Sequence, residues 1–266
     1  MSEARVLTRH DGGIATVSLN RAGKRNALDL AMFQAIARTI RALKQDRSVR
    51  AVILRGDGED FCSGLDIKSV LGNPLHGLKL LWKWLPGNAN LAQRVSVGWR
   101  RLPVPVIAAI HGRCWGGGLQ IALGADYRIA TPDASLSIME AKWGIIPDMG
   151  GTLALRELLP VDTAMRLAST AELLNGNEAL ELGLLTATDD DPYAAAQTLA
   201  ASFVARSPDS VAAVKQLYHQ TWSPATRRVL ARETWLQWCL LLGANQKIAV
   251  ARAKDGLPHP YQPRKR

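Results

Sequence analysis

Apolar and polar positions repeat along this chain with two different periods, and the switches between them outline a fold. Ile14-Ala15-Thr16-Val17-Ser18-Leu19 reads as a strand and ends in the turn-prone Asn20-Arg21-Ala22-Gly23. From Leu30 the apolar positions step by three or four, through Phe33, Ile36, Ile40 and Leu43. That spacing predicts an amphipathic helix, with Asp29 as its cap. Ala51-Val52-Ile53-Leu54 and Val104 to Ile110 are apolar without interruption, as strands buried on both faces are. Strand, helix, buried strand predicts βαβ units, a mainly parallel sheet and an α/β fold class.

Residues 69–100 break the rhythm, with Gly72, Pro74, Gly77, Pro86 and Gly87 set among Trp82, Trp84 and Trp99. Two readings stand for this stretch, a helical lid over a pocket and a tryptophan-rich packing patch. Helical periodicity returns beyond residue 160, over Thr163 to Ala171, Asn177 to Gly183, Asp191 to Arg206, Ser210 to Thr221 and Thr226 to Gly243. The expected organisation is a core over residues 1–200 and a helical C-terminal segment over 201–266.

The chemistry gathers around glycines. Gly116-Gly117-Gly118 follows an apolar strand and leads into a predicted helix. N–H groups at a helix N-terminus lack intrahelical partners, and glycine lets a ligand approach them closely. Such a segment can hold a developing negative charge with main-chain donors. A second glycine-rich turn, Gly56 to Gly64, precedes Leu65-Asp66-Ile67, where another helix can start.

Composition narrows the setting. The chain has 266 residues and no apolar run near the roughly 20 needed to span a bilayer. Met1-Ser2-Glu3-Ala4-Arg5 lacks the apolar core of a secretion signal. Cys62, Cys114 and Cys239 are odd in number and lack metal-ligand spacing, so a reduced, cytoplasmic protein without a metal site or membrane partner is expected. The net charge of +10, partly in the tail Pro263-Arg264-Lys265-Arg266, favours an anionic partner. No nucleic-acid recognition motif accompanies it, and a phosphorylated small molecule explains the sign equally well.

Taken in order, several segments together resemble the crotonase (enoyl-CoA hydratase/isomerase) superfamily. They are Asn20-Arg21, Lys24-Arg25-Asn26-Ala27-Leu28, Phe61 to Ile67, Pro105 to Gly112, Gly116-Gly117-Gly118, Ala125-Asp126 and Gly144 to Thr152. The resemblance covers nearly the whole chain. It implies a spiral of ββα units that binds an acyl-CoA thioester, and a helical C-terminal part that joins copies into a homotrimer or hexamer. It also implies that the N–H groups of Leu65 and Gly117 form an oxyanion hole. Lys24, Arg25, Ala27, Ser63, Asp66 and Ile67 fall where the family binds coenzyme A, which enters as part of the substrate. No other cofactor is implied.

Hydratases of the family use two glutamates, and here the first position holds Gln120 while the second holds Glu140. An amide cannot serve as a general acid or base, so Gln120 can only orient a partner. Glu140, in an apolar site, is expected to have a raised pKa suited to proton transfer. Asp148 occupies a position where dienoyl-CoA isomerases carry an aspartate, although those enzymes also have an aspartate at the position of Gln120. The leading expectation is therefore a double-bond shift, with Glu140 as acid/base, Asp148 assisting and Gln120 orienting. Two rivals stand beside it: hydration by a single glutamate, and a catalytically silent protein that binds acyl-CoA or RNA. The bland readings are a surface Glu140 paired with Lys142, a turn-forming Asp148 and a helix-capping Asp66.

Overall fold

The apolar runs occupy the centre of a sheet, as their lack of alternation predicts. The computed structural model describes residues 4–72, 74–206, 208–221, 226–257 and 259. The basic tail at 263–266 lies outside the described residues. In chain order the strands are β1 (Val6–Asp11), β2 (Ile14–Leu19), β3 (Ala51–Gly56), β4 (Val106–Ile110), β5 (Arg113–Trp115), β6 (Tyr127–Ala130), β7 (Ser135–Ser137) and β8 (Ala187–Thr188). Six of them form one sheet in the order β1-β2-β3-β4-β6-β8, parallel except for the β1–β2 hairpin. Strands β5 and β7 pair separately, also in parallel.

Twelve helices surround these sheets in the described residues. The first four are α1 (Leu30–Gln45), α2 (Ile67–Leu71), α3 (Pro74–Leu81) and α4 (Leu91–Arg100). They are followed by α5 (Gly117–Leu123), α6 (Gly151–Leu158), α7 (Val161–Thr170) and α8 (Gly176–Glu181). The last four are α9 (Pro192–Val204), α10 (Pro208–Thr221), α11 (Thr226–Leu241) and α12 (Ala244–Asp255).

Side chains alternate across a strand, so each central strand supplies two cores. On β3, Val52 and Leu54 join the large cluster with Phe33 and Ile36 of α1 and Trp99 of α4. Ala51 and Ile53 point the other way and pack with Ile107, Ala109 and Ile129 beneath Ala196 and Ala200 of α9. The small alanines let α9 lie close to the sheet. Asp29 caps α1 as predicted, accepting from the Met32 N–H at 2.8 Å.

One strand lacks a sequence signal, and two expectations need revision. Strand β1 carries five exposed positions in six, so it has no apolar signature and was not predicted. The helix expected from Asn177 starts one residue earlier, at Gly176, because Asn175 caps it in a reciprocal pair with Glu178. The tryptophans of 69–100 split between two environments: Trp99 is fully buried, while Trp82 and Trp84 are exposed. None of the three lines the cavity described next, so the packing-patch reading holds for Trp99 alone.

Candidate active site

The two glycine-rich turns meet side by side. Leu28 and Leu65 form a parallel bridge in which the Leu28 N–H donates to Gly64 O and the Asp66 N–H to Leu28 O. In a parallel bridge the intervening residue, Leu65, directs its own N–H away from that partner. Gly64 has φ +90°, and a Cβ there would stand 2.9 Å from Trp115 O and 3.6 Å from the Gly117 nitrogen. Only glycine accepts both the backbone angle and the approach. Gly117 opens α5, so its N–H is one of the helix's unpartnered donors. Gly116, at φ +48°, turns the chain from β5 into that helix.

A cavity of about 290 Å³ lies against these turns, lined by Ser63, Leu65, Ile67, Gly117, Glu140 and Asp148. Its remaining wall is largely apolar and includes Phe33, Val70, Leu80, Leu81, Trp143 and Met149. Leu80 and Leu81 come from α3, so the irregular stretch does supply a helical cover. Three wall residues arrive from the distant C-terminal helices: Gln237, Leu241 and Gln246. Nothing in their local sequence marks them as cavity residues. Gln246 reaches the site because α12 packs on Gly144, where an added Cβ would meet Gln246 Cα at 3.1 Å and Ala249 Cβ at 2.7 Å.

Glu140 is buried at the start of a 3-10 turn, Glu140–Trp143. Its Oε1 accepts a 2.6 Å hydrogen bond from Gln120 Nε2, and its Oε2 has no partner among the described residues. Burial pushes its pKa up to about 7, against the pull of the Gln120 hydrogen bond. The surface pair with Lys142 is therefore not formed. Gln120 stands behind the cavity rather than in its wall. Its Oε1 accepts from the N–H groups of Met149 at 2.9 Å and Gly151 at 3.2 Å. The Gly151 N–H is the first donor of α6, whose cap residue Gly150 has no side chain to serve it, and the Gln120 oxygen takes that place. With its oxygen committed there, the amide must present its NH₂ to Glu140.

The other predicted residues divide. Asp148 is buried next to Met149 and lines the cavity. Asp66 caps α2 through the Ser69 N–H and pairs with Arg21 at 2.7 Å, outside the cavity wall. Lys24, Arg25 and Ala27 also lie outside it, Lys24 and Arg25 with exposed side chains. Their segment nevertheless borders the site, because the Ser63 N–H donates to Arg25 O at 2.9 Å. The thiols of Cys62 and Cys114 are fully buried, and burial drives both pKa values up, that of Cys62 to about 12, which suits neither to nucleophilic attack. No cluster of residues able to hold a metal ion occurs among the described residues.

Comparison with known proteins places this geometry in a family. The model of the enoyl-CoA hydratase/isomerase family matches residues 9–247. A Bacillus subtilis protein named "Probable enoyl-CoA hydratase" is 34% identical over 200 residues, covering 73% of this chain and 74% of its own. A carnitinyl-CoA dehydratase from Salmonella enteritidis is 33% identical over 224 residues, covering 83% and 82%. The fold matches the crystal structure of an enoyl-CoA hydratase/isomerase from Mycobacterium paratuberculosis with a TM-score of 0.85 at 21% identity, over 94% of this chain and 98% of that one. The chain belongs to the enoyl-CoA hydratase/isomerase family.

Proposed function

We propose that this acyl-CoA enzyme shifts a double bond through a thioester enolate, with Glu140 as the single acid/base. The observation that carries this reading is the Gln120–Glu140 hydrogen bond, with the amide fixed from behind by Met149 and Gly151. Hydration by two carboxylates needs a second group that can exchange a proton with water, and an amide lacks one. Proton removal and return need only one base. Glu140 takes a proton from the α-carbon of a 3-enoyl thioester, the electrons flow to the carbonyl oxygen, and the same proton returns to the γ-carbon. The N–H groups of Leu65 and Gly117 stabilise the enolate oxygen, a role in which one donor is typically worth about 100- to 1000-fold in rate. Asp148 serves the far end of a longer conjugated system.

The basic turn at Lys24 and Arg25, with Ala27, Ser63, Asp66 and Ile67, holds coenzyme A as part of the substrate, with no further cofactor. The functional unit is a homotrimer or hexamer. Ultraviolet assays with 3-enoyl- and 3,5-dienoyl-CoA test the reaction, and turnover to the conjugated 2-enoyl product is expected. A second reading, hydration with Glu140 alone activating water, is favoured by the hydratase and dehydratase names of the relatives. Faster hydration of crotonyl-CoA than isomerisation of any 3-enoyl-CoA would select it.

A further inference from the structure

The helix that roofs the cavity is apolar on both sides. Leu80 and Leu81 of α3 face inward and line the cavity. Leu75, Leu78 and Trp82, spaced by three and four, form a second stripe on the solvent side and are 61%, 44% and 62% exposed. Trp82 still belongs to the helical turn, because its N–H donates to Leu78 O at 2.8 Å. The chain just beyond adds Trp84 at 84% exposure and Leu85 at 52%. Single exposed apolar residues are ordinary, but five within eleven positions (75 to 85) form a patch that calls for a partner.

The charge around the patch identifies the partner. Lys68 on α2 and Lys79 on α3 are exposed, whereas Lys83 is turned inward and donates to Leu230 O at 2.8 Å. No aspartate or glutamate occurs anywhere between Asp66 and Asp126. Tryptophan and leucine flanked by lysine, without acids, suit the boundary between lipid headgroups and acyl chains. We infer that α3 and the Trp82–Leu85 turn dock this protein onto an anionic lipid bilayer. Leu75, Leu78, Trp82 and Trp84 enter the interface while Lys68 and Lys79 meet the headgroups.

This is a surface dock, not a span, since no helix among the described residues is long and apolar enough to cross a membrane. The sequence expectation of no membrane partner rested on the lack of a span and does not reach such an element. The inference is independent of the reaction assigned to Glu140.

Co-sedimentation of the full chain with phosphatidylglycerol/phosphatidylcholine vesicles tests it, with phosphatidylcholine vesicles as the comparison. Expected are retention on the anionic vesicles and a blue shift of tryptophan emission. Trp82→Ser with Trp84→Ser should weaken retention by about tenfold or more, and Lys68→Glu with Lys79→Glu by at least about fivefold per lysine. Acyl-CoA turnover in vesicle-free solution should be unchanged in both variants, which shows that they fold. Absence of retention by the native protein, or equal retention by the tryptophan variant, overturns the inference. A smaller particle on light scattering for the tryptophan variant without vesicles also overturns it, because the patch would then join copies of the chain.

Discussion

Gln120 Nε2 donates to Glu140 Oε1 over 2.6 Å, while the oxygen of the same amide accepts from the N–H groups of Met149 and Gly151. One side chain thus completes the start of α6 and fixes one oxygen of the buried carboxylate. The other carboxylate oxygen is left without a partner among the described residues. This division of labour uses both ends of the amide, and it makes Gln120 testable by replacement.

Gln120→Glu keeps acceptors for Met149 and Gly151 but sets two carboxylates at hydrogen-bond distance. Both cannot ionise cheaply, so one proton is shared and the pair titrates in two separated steps. The pH–rate profile should show two apparent pKa values in the variant, against a single one in the native protein, where burial pushes Glu140 up to about 7. Hydration of crotonyl-CoA should rise relative to isomerisation. An unchanged product ratio with an unchanged profile would sever Gln120 from the chemistry.

Glu140 also sets a stability trend with pH. Its folded pKa is raised by burial from 4.5 to about 7, so the folded state holds a proton that the unfolded chain has released between those values. Stability from this group is therefore complete below about pH 4.5 and falls as pH rises to about 7. Urea unfolding of the native protein against Glu140→Gln should show this slope disappear in the variant. An identical slope in both would mean that Glu140 titrates normally.

The opposite sign belongs to Asp126. Burial alone would raise its pKa, but Lys215 at 2.7 Å, His219 at 2.7 Å and the Val106 N–H hold it below the ordinary value. Its stabilisation is present above the unfolded pKa and is lost as pH falls through the folded one. Burial lowers the Lys215 ammonium too, so that group governs an alkaline limb and leaves the acid limb to Asp126. Lys215→Met leaves Asp126 buried without its ammonium partner and should cost about 3–5 kcal/mol in chemical denaturation. A loss below 1 kcal/mol, about the value of an exposed pair, would contradict this assignment.

The adjacent glycines should separate fold from function. A Cβ on Gly118 would stand 2.4 Å from Cys62 O and 2.7 Å from Cys62 Cβ, both held in the core. Gly118→Ala should therefore destabilise by about 1–3 kcal/mol, read as a lower unfolding midpoint. A Cβ on Gly117 meets only the ends of two flexible side chains, Leu28 Cδ1 and Met149 Sδ, each at 2.9 Å. Gly117→Ala should fold but shift the Gly117 N–H and lose about 100-fold or more in turnover.

The sequence disclosed those elements whose burial leaves a periodic trace. The apolar runs of β3 and β4 and the stripe of α1 are legible because each faces a core along its whole length. Strand β1 is not, since it lies at the sheet edge with polar side chains on both faces. Glu140, Gln120, Leu65 and Gly117 were singled out by the resemblance to a family rather than by any local pattern, and the structure brings Leu65, Gly117 and Glu140 to one cavity wall. Gln120 as a bridge to α6 was not legible, because its partners are backbone N–H groups that any sequence supplies. Gln237 and Gln246 escaped for a related reason: tertiary docking of α11 and α12, not local pattern, brings them to the cavity.

The most direct measurement is proton exchange at the substrate. In ²H₂O, 3-enoyl-CoA is incubated with the native protein and with Glu140→Gln, and both deuterium entry at the α- and γ-carbons and the conjugated product are followed. The account predicts isomerisation by the native protein with little deuterium at the γ-carbon, because Glu140 returns the proton that it removed, and a loss of about 100-fold or more in the variant, the scale of a missing general base. Isomerisation at the native rate by Glu140→Gln would contradict it.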